Sequence, residues 1–421
     1  MKIAFFTDTY YPQTNGAVKS IEIFSKQLRE RGNEVHIFCP DGIRRDKYTH
    51  PIPSSKFENY PEYRVGLPTL KTIKEVERIN PDVVHIHSPF TIGLVGMSIA
   101  KILKIPIVAT YHTILSEYFE YVGSSKLKKE IADRYAKCFF DRTSIIIVPS
   151  KSVENIFKKY KIKKPIKILP TPLDLKILKN NKKHNKKLTI LHVGRICKEK
   201  RIEIILKAFE KVHKKIDSVL IITSDGPDRK RLEKLCKKLG IEKNVTFTGY
   251  VSDKKLLKLY SKADVFVSAS DTETQGLVIL ESMACGCPVI ARNALGFKDF
   301  VQNKRNGILF NSENDLIDSI LLIKKDKNLR SKLIKNGYET VRKFSISNYV
   351  KIMEDMYKKS LFNEKGSKTI SKVLYASFLF FGSLEFWFIK NMKIPINSRF
   401  LNLNIRFFKV VSFLERFKEY I

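Results

Sequence analysis

Glu273 and Glu281 stand eight residues apart in the stretch Ser268 to Arg292, SASDTETQGLVILESMACGCPVIAR, with Gly276 between them. The run Ala263 to Ser268 is short, apolar and rich in β-branched and aromatic residues, which predicts a buried parallel strand. A polar loop follows from Asp271 to Gly276. Leu277, Ile279, Leu280, Met283 and Ala284 then recur at helical spacing until Gly286 and Pro288 stop the pattern, and Val289 to Ala291 starts another strand. Open α/β sheets take ligands at such strand ends. A helix opening near Gly276 points the N–H groups of Gln275, Gly276 and Leu277 outward, a place that suits an anion such as a diphosphate. Glu281 then lies roughly 7.5 Å along the helix axis. A carboxylate on either side would accept hydroxyl hydrogen bonds from two sugars joined by that diphosphate. The plain alternative is a capping glutamate followed by a solvated helical one.

Cations suited to the same anion occur after another apolar run. Leu188 to Val193 predicts a strand, and Gly194-Arg195-Ile-Cys-Lys-Glu-Lys200 follows it. Arginine grips phosphate with a planar fork and lysine adds a mobile point charge, although an ordinary basic turn in a lysine-rich chain looks the same. His112 sits at the carboxyl end of the strand Ile107 to Thr110, where a histidine can face a cleft and hold an acceptor hydroxyl or be a satisfied loop residue. Gly16, in the turn-rich loop after a first strand, allows close approach of backbone to phosphate or an ordinary turn. His85 and His87 share one face of the strand Pro81 to His87. A metal pair is conceivable there, but with no third ligand nearby a hydrogen-bonded structural role is the favoured reading. Residues 114 to 140 mix Tyr118, Phe119 and Tyr121 with Lys126, Lys128, Lys129, Arg134 and Lys137. Such a segment suits a lipid headgroup layer or a plain amphipathic helix packed on a sheet.

The elements that must position these residues alternate strand with helix. Lys2 to Thr7, Val35 to Cys39, the strands ending at His87 and Thr110, and Ile145 to Pro149 predict one doubly wound sheet, with helices at 17–31 and 69–78. Residues 41 to 63 hold Gly42, Pro51, Pro53 and Pro61 with little periodicity and read as a loop. Lys158 to Lys187 carries twelve lysines and one acid, Asp174, and reads as the connection to a second unit. That unit has strands at 188–193, 219–223, 245–248, 263–268 and 289–291 and a late one within 306–310. A chain of 421 residues suits two domains. The expected divisions are 1–170, 171–344, a crossover helix within 345–364 and a tail, 365–421.

The net charge of +35 points to an anionic partner (nucleic acid, anionic membrane or phosphate-bearing substrate) or to a general bias toward lysine. The six cysteines are scattered, and Cys285-Gly-Cys287 lacks the gap of a typical zinc pair, so reduced thiols in a cytosolic protein are expected. No signal peptide is evident at the start, and no run reaches the roughly 18 apolar residues of a clear spanning helix.

Glu273-Thr-Gln-Gly-Leu-Val-Ile-Leu-Glu281 resembles the signature of the retaining glycosyltransferases of family four, which have the GT-B fold: two Rossmann-like doubly wound α/β domains facing a central cleft. The resemblance implies that Glu273 contacts the donor sugar and Glu281 holds the ribose of a sugar nucleotide. Gly194-Arg195-x4-Lys200 matches the family's diphosphate clamp, Gly16 the glycine that abuts the donor diphosphate, and Thr110-Tyr-His112-Thr a motif whose histidine lies next to the reacting sugar. Ser224-Asp-Gly-Pro227 is similar to a Gly-x-Gly-Pro turn with serine in place of the first glycine, and Gly249-Tyr-Val-Ser to the base-facing loop. Pro172-Leu173 stands where members carry a glycine and a small β-branched residue before Asp174, a departure at the hinge. The likeness covers about residues 1 to 360. The start, Phe6-Thr-Asp-Thr-Tyr-Tyr-Pro-Gln, resembles members that glucosylate diacylglycerol or mannosylate phosphatidylinositol.

The expected activity is retaining transfer of glucose or mannose from a UDP- or GDP-sugar to a membrane lipid hydroxyl, on the cytoplasmic face of the cell membrane. Arg195, Lys200 and the helix start at Gln275, Gly276 and Leu277 would neutralise the departing diphosphate, and His112 would position the sugar or acceptor. No Asp-x-Asp pair occurs in the cleft motifs, so no metal and no other cofactor is expected. Sugar-to-sugar transfer in polysaccharide or glycan synthesis is the rival. A nucleic-acid binder is disfavoured, because the aromatics are not interleaved with bases in a nucleic-acid motif, and the intact Glu, Arg and Lys set argues against an inactive membrane scaffold. The tail, with ten bases, three acids and the aromatic run Phe378 to Ile389, suits a helix lying in a membrane surface or a subunit contact.

Overall fold

The computed structural model describes residues 1–13, 15–41, 46–57, 60–66, 69–115, 126–174 and 187–363. The first half is built on β1 (Lys2–Phe6), β2 (Glu34–Pro40), β3 (Thr49–Ile52), β4 (Ser54–Phe57), β5 (Tyr60–Gly66), β6 (Val83–Ile86), β7 (Ile107–Thr110), β8 (Ile145–Val148) and β9 (Ile166–Ile168). Seven of these form one parallel sheet in the order β3-β2-β1-β6-β7-β8-β9. The second half holds β10 (Leu188–Val193), β11 (Ser218–Thr223), β12 (Val245–Phe247), β13 (Val265–Ser268), β14 (Val289–Arg292) and β15 (Ile308–Phe310). They form a parallel sheet in the order β12-β11-β10-β13-β14-β15. These are the two expected Rossmann-like, doubly wound units.

The strands read as continuous apolar runs because helices cover both faces of each sheet. In β1, Ile3 and Phe5 enter one core while Ala4 and Phe6 enter the other. In β10, Leu188 and Ile190 face one way, and Leu191 and Val193 the other. Strand order reverses between β1 and β6 and again between β10 and β13. Each reversal splays the connecting loops apart and opens a crevice at the carboxyl ends. Gly16, the Gly194–Lys200 turn and the Asp271–Gly276 loop all lie at these reversals, and His112 follows the neighbouring β7.

The helix Ile346–Asn363 returns to the first half. Its Val350, Met353, Met356 and Tyr357 join Ile3, Phe5, Ile21, Phe24 and Val83 in one core. Each such burial stabilises by roughly 1.5–3 kcal/mol. Glu354 accepts hydrogen bonds from Arg31 Nε at 2.9 Å and Asn33 Nδ2 at 2.6 Å. At the crossing between halves, Leu173 N donates to Phe344 O at 3.1 Å, so the outgoing and returning segments run side by side. Leu173, in the departure at the hinge, is buried among Val341, Phe300 and Val301.

The described residues of 41–63 are mostly strand rather than loop. β3 pairs with β2 from Ile37↔Thr49 to Pro40↔Ile52, and β4 and β5 form an antiparallel hairpin from Ser54↔Gly66. Pro51 fits within a strand here because β3 is the sheet's edge, where a missing N–H costs no ladder bond. The helix Thr91–Ile102 was not expected, because Ile92, Gly93, Val95, Gly96, Met97, Ile99 and Ala100 bury it too widely to leave a clear amphipathic period. The helix Lys126–Phe140 packs Ala132, Ala136, Phe139 and Phe140 into the core, which is the plainer of the two readings for that segment. Tyr118, Phe119, Tyr121, most of the Lys158–Lys187 linker's second half and the 365–421 tail lie outside the described residues. Among the described residues no helix is long and apolar enough to cross a membrane.

Replacing Glu354 by Ala should lower the urea unfolding midpoint by an amount equivalent to about 1–2 kcal/mol, since Arg31 stays partly solvated but Asn33 loses its acceptor. An unchanged midpoint would mean that this anchor contributes nothing.

Candidate active site

The loop after β13 is held flat before its helix begins. Gly296 N donates to Glu273 O at 2.9 Å, and a Cβ on Gly296 would lie 2.4 Å from Thr274 O. Gly276 caps the helix Leu277–Ala284 at φ +75°, and a Cβ there would meet Phe297 Cε1 at 2.4 Å, so only glycine fits at the helix mouth. The Gln275 side chain is spent on the hinge: Oε1 accepts from Thr171 N and Nε2 donates to Thr171 O, both at 2.8 Å. Its contribution to an anion is therefore confined to the main chain. N–H groups at a helix start have no intrahelical acceptor.

Across the cleft, Gly16 opens the helix Gly16–Glu30, and Asn15 Oδ1 accepts from Val18 N at 3.0 Å. Leu277 Cδ1 lies 3.8 Å from where a Cβ on Gly16 would be. Two helix starts thus face each other, one from each half, and both favour negative charge.

The cations come from the turn after β10. Lys200 Nζ bonds Glu273 Oε1, 73 residues away in sequence. Burial lowers its pKa, but Glu273, Cys197 and Glu199 together outweigh that and hold the ammonium above the ordinary lysine value. Arg195 Nη2 lies 3.0 Å from Glu199 Oε1 on the same turn. Burial pushes the Glu199 carboxyl up. The structure therefore brings Lys200 to Glu273 directly, while Arg195 engages a neighbour that sequence reading did not single out.

Glu281 Oε1 lies 2.6 Å from Lys19 Nζ, and Oε2 accepts from Tyr260 OH at 3.1 Å. Lys19 belongs to the helix of the first half, so this pair spans the cleft. Burial lowers the Lys19 pKa, but Glu281, Asp253 and Glu22 together outweigh that and raise it. His112 meets the same loop from the first half: its carbonyl accepts from Thr274 Oγ1 at 2.8 Å, and its Nε2 lies 3.1 Å from His87 Nδ1. His85 has Tyr357 OH at 2.6 Å from Nδ1 and Thr110 Oγ1 at 2.7 Å from Nε2, which is the hydrogen-bonded role rather than a metal pair. Among the described residues no group of three His, Cys, Asp or Glu is placed to hold a metal ion.

Lys19, Tyr260 and His192 were missed. A lysine on a helix of a lysine-rich chain carries no local signal, and Glu281 is 262 residues away. His192 interrupts the apolar run of β10, which is a usable cue. Its Nδ1 lies 2.9 Å from Val267 O, tying β10 to β13 under the Lys200 turn. Ser224, in place of the family's glycine, takes φ +76° and donates N–H to Gly249 O at 2.8 Å, joining that turn to the Gly249 loop.

Comparison with known proteins gives the family. Residues 14–177 match the family described as Glycosyltransferase Family 4, and residues 175–340 match Glycosyl transferases group 1. The chain is 31% identical over 395 residues to the alpha-monoglucosyldiacylglycerol synthase of Streptococcus pneumoniae, spanning 88% of this chain and 89% of that protein. It is 29% identical over 414 residues to the synthase of the same name from Acholeplasma laidlawii, spanning 88% and 100%. Among solved structures, its fold is similar to that of Anabaena HepE in complex with UDP-glucose, with a TM-score of 0.69 at 19% identity over 85% of this chain and 100% of that one. The fold is GT-B and the protein is an enzyme of the glycosyltransferase class. The chain belongs to the family-four glycosyltransferases.

Burial of His112 and His192 lowers each pKa to about 4. The unfolded chain protonates these rings near 6.5, and the folded chain does not until near 4, so stability falls as pH drops through that window. Each ring contributes a slope of about 1.4 kcal/mol per pH unit. Urea midpoints measured from pH 7 to pH 4.5 should fall steadily, and a flat series would contradict the buried neutral histidines.

Proposed function

We propose that this chain transfers a hexose, glucose before mannose, from a nucleoside diphospho-sugar to a hydroxyl of a membrane lipid of the diacylglycerol class, with retention at the anomeric carbon. The observation that carries the reading is the Lys200–Glu273 pair, set close to two facing helix starts. Donor diphosphate competes with Glu273 for the Lys200 ammonium. It takes Lys200 and draws Arg195 from Glu199, and Glu273 is freed to accept hydroxyls of the donor sugar. Glu281, still held by Tyr260, accepts from the ribose. The bond from C1 to the phosphate oxygen breaks as the acceptor oxygen bonds C1 on the same face, and the acceptor proton passes to the departing diphosphate. Arg195, Lys200 and the helix starts stabilise the charge that develops there. His112, fixed through its carbonyl by Thr274, lines the sugar's position. Approach of the two halves excludes water that would hydrolyse the donor.

The lipid acceptor is supported by the likeness to the two alpha-monoglucosyldiacylglycerol synthases, by the start Phe6 to Gln13, and by a net charge of +35 that suits an anionic lipid surface. A peripheral place on the cytoplasmic face of the membrane follows from this reading, and the six cysteines, none of them in a disulfide, fit a reducing compartment. Sugar-to-sugar transfer is the second reading, favoured by nothing specific in the cleft.

The test is the purified full chain with anionic phospholipid vesicles containing diacylglycerol, given UDP-glucose or GDP-mannose. The expected product is an α-hexosyl diacylglycerol. Transfer only to soluble sugars would favour the second reading, and no consumption of any donor would overturn the enzyme chemistry. Lys200→Ala and Arg195→Ala should each lower kcat/KM by roughly 10²–10³, with weaker donor binding by calorimetry. Retention of full activity in both would remove the diphosphate clamp.

A further inference from the structure

Three histidines stand side by side beneath the cleft. His85 and His87 have ring centroids 4.0 Å apart, and His87 and His112 are nearly parallel at 5.4 Å. Burial holds His85 and His87 well below the ordinary histidine pKa and His112 at about 4. At neutral pH each ring therefore has one N–H and one bare nitrogen. Both nitrogens of His85 are matched to hydroxyls, of Tyr357 and Thr110. His87 is different. Its Nδ1 meets His112 Nε2 at 3.1 Å, and its Nε2 is buried with no hydrogen-bond partner.

One proton lies between His87 Nδ1 and His112 Nε2, and it has two possible owners. If His112 donates from Nε2, the proton of His87 must sit on Nε2 as an orphaned buried N–H, which loses its full solvation with nothing in return. The Phe5 ring, with its centroid 4.6 Å from that of His87, is a poor substitute for an oxygen acceptor. If His87 donates from Nδ1, its Nε2 carries only a lone pair, and His112 carries its proton on Nδ1. Since Nε2 of His112 is committed to His87 and its carbonyl to Thr274, Nδ1 is the nitrogen available to a ligand.

We infer that His87 is a positioning residue that holds His112 in the Nδ1–H tautomer, so that His112 offers a neutral hydrogen-bond donor to an oxygen of the bound sugar or of its leaving phosphate. The consequence for catalysis rests on the proposed function, whereas the tautomer itself does not. Neighbouring groups lock the arrangement: His85 lies tilted against His87, and Tyr357 of the returning helix fixes His85.

The tautomer is read directly from long-range ¹H–¹⁵N correlation spectra of ¹⁵N-histidine-labelled, donor-free protein at pH 7, with His112 assigned by its loss in His112→Asn. The expected spectrum has Nδ1 of His112 protonated and Nε2 bare, and the reverse pattern would overturn the inference even in a protein that turns over no donor. His87→Phe should release the tautomer preference and lower kcat about tenfold, equivalent to one hydrogen bond in the transition state, with donor KM within about twofold. His87→Asn places an amide N–H where Nδ1–H stood, and should restore the Nδ1–H pattern and most of kcat. If His87→Phe keeps both tautomer and kcat, or if Asn is no better than Phe at equal melting temperature, His87 has only a packing role.

Discussion

A largely buried ammonium must have an anion beside it, and at the end of β10 that anion is Glu273. Neither group is placed there by its own neighbours in sequence. β10 and β13 are adjacent only because the second sheet reverses its order between them. The loops beyond that reversal must then share one volume, and Lys200 and Glu273 cancel each other's charge within it. Desolvating two charges costs about as much as their attraction returns. Such a pair is therefore poorly explained as a stabiliser, and under the proposed function its two charges are the ones a substrate takes up.

The rest of the cleft repeats that logic with partners from opposite halves. Glu281 is met by Lys19, Thr274 by the His112 carbonyl, Leu277 by the helix that opens at Gly16, and Gln275 by Thr171 at the crossing. Asp299 accepts from Ser152 N at 2.7 Å on the same interface. Apart from Leu173 at the crossing and Leu295, which packs on the first half, each half keeps its own apolar cores. That division lets the halves move relative to each other without opening either core, as closure around a donor requires. The returning helix is the exception, and its burial against β1 and β6 ties the chain's later part firmly to the first half.

Most of the fold was legible because a strand covered on both faces can only be apolar throughout, and its end is marked by the glycine or polar residue that leaves the sheet. Gly194, Gly276 and His112 were found in this way. The edge strand β3 was not, since Pro51 is tolerated only where no neighbour asks for its N–H, and that depends on the whole sheet. The apolar Thr91–Ile102 helix hid for a related reason, as a helix buried on most sides leaves little amphipathic period. In the site, residues belonging to one loop were legible and residues meeting across loops were not. Tyr260 touches Glu281 only once the second half has folded, and Lys19 only after the two halves have met. The link from His87 to His112 likewise joins two strand ends that the sequence separates by 25 residues.

The most direct measurement is a crystal structure with UDP or GDP bound, whichever the protein takes. The account predicts the diphosphate between the helix starts at Gly16 and Gly276, with Lys200 Nζ moved from Glu273 to a phosphate oxygen, Arg195 turned from Glu199 to the same group, and Glu281 on the ribose. A diphosphate bound elsewhere, with the Lys200–Glu273 pair intact, would contradict it.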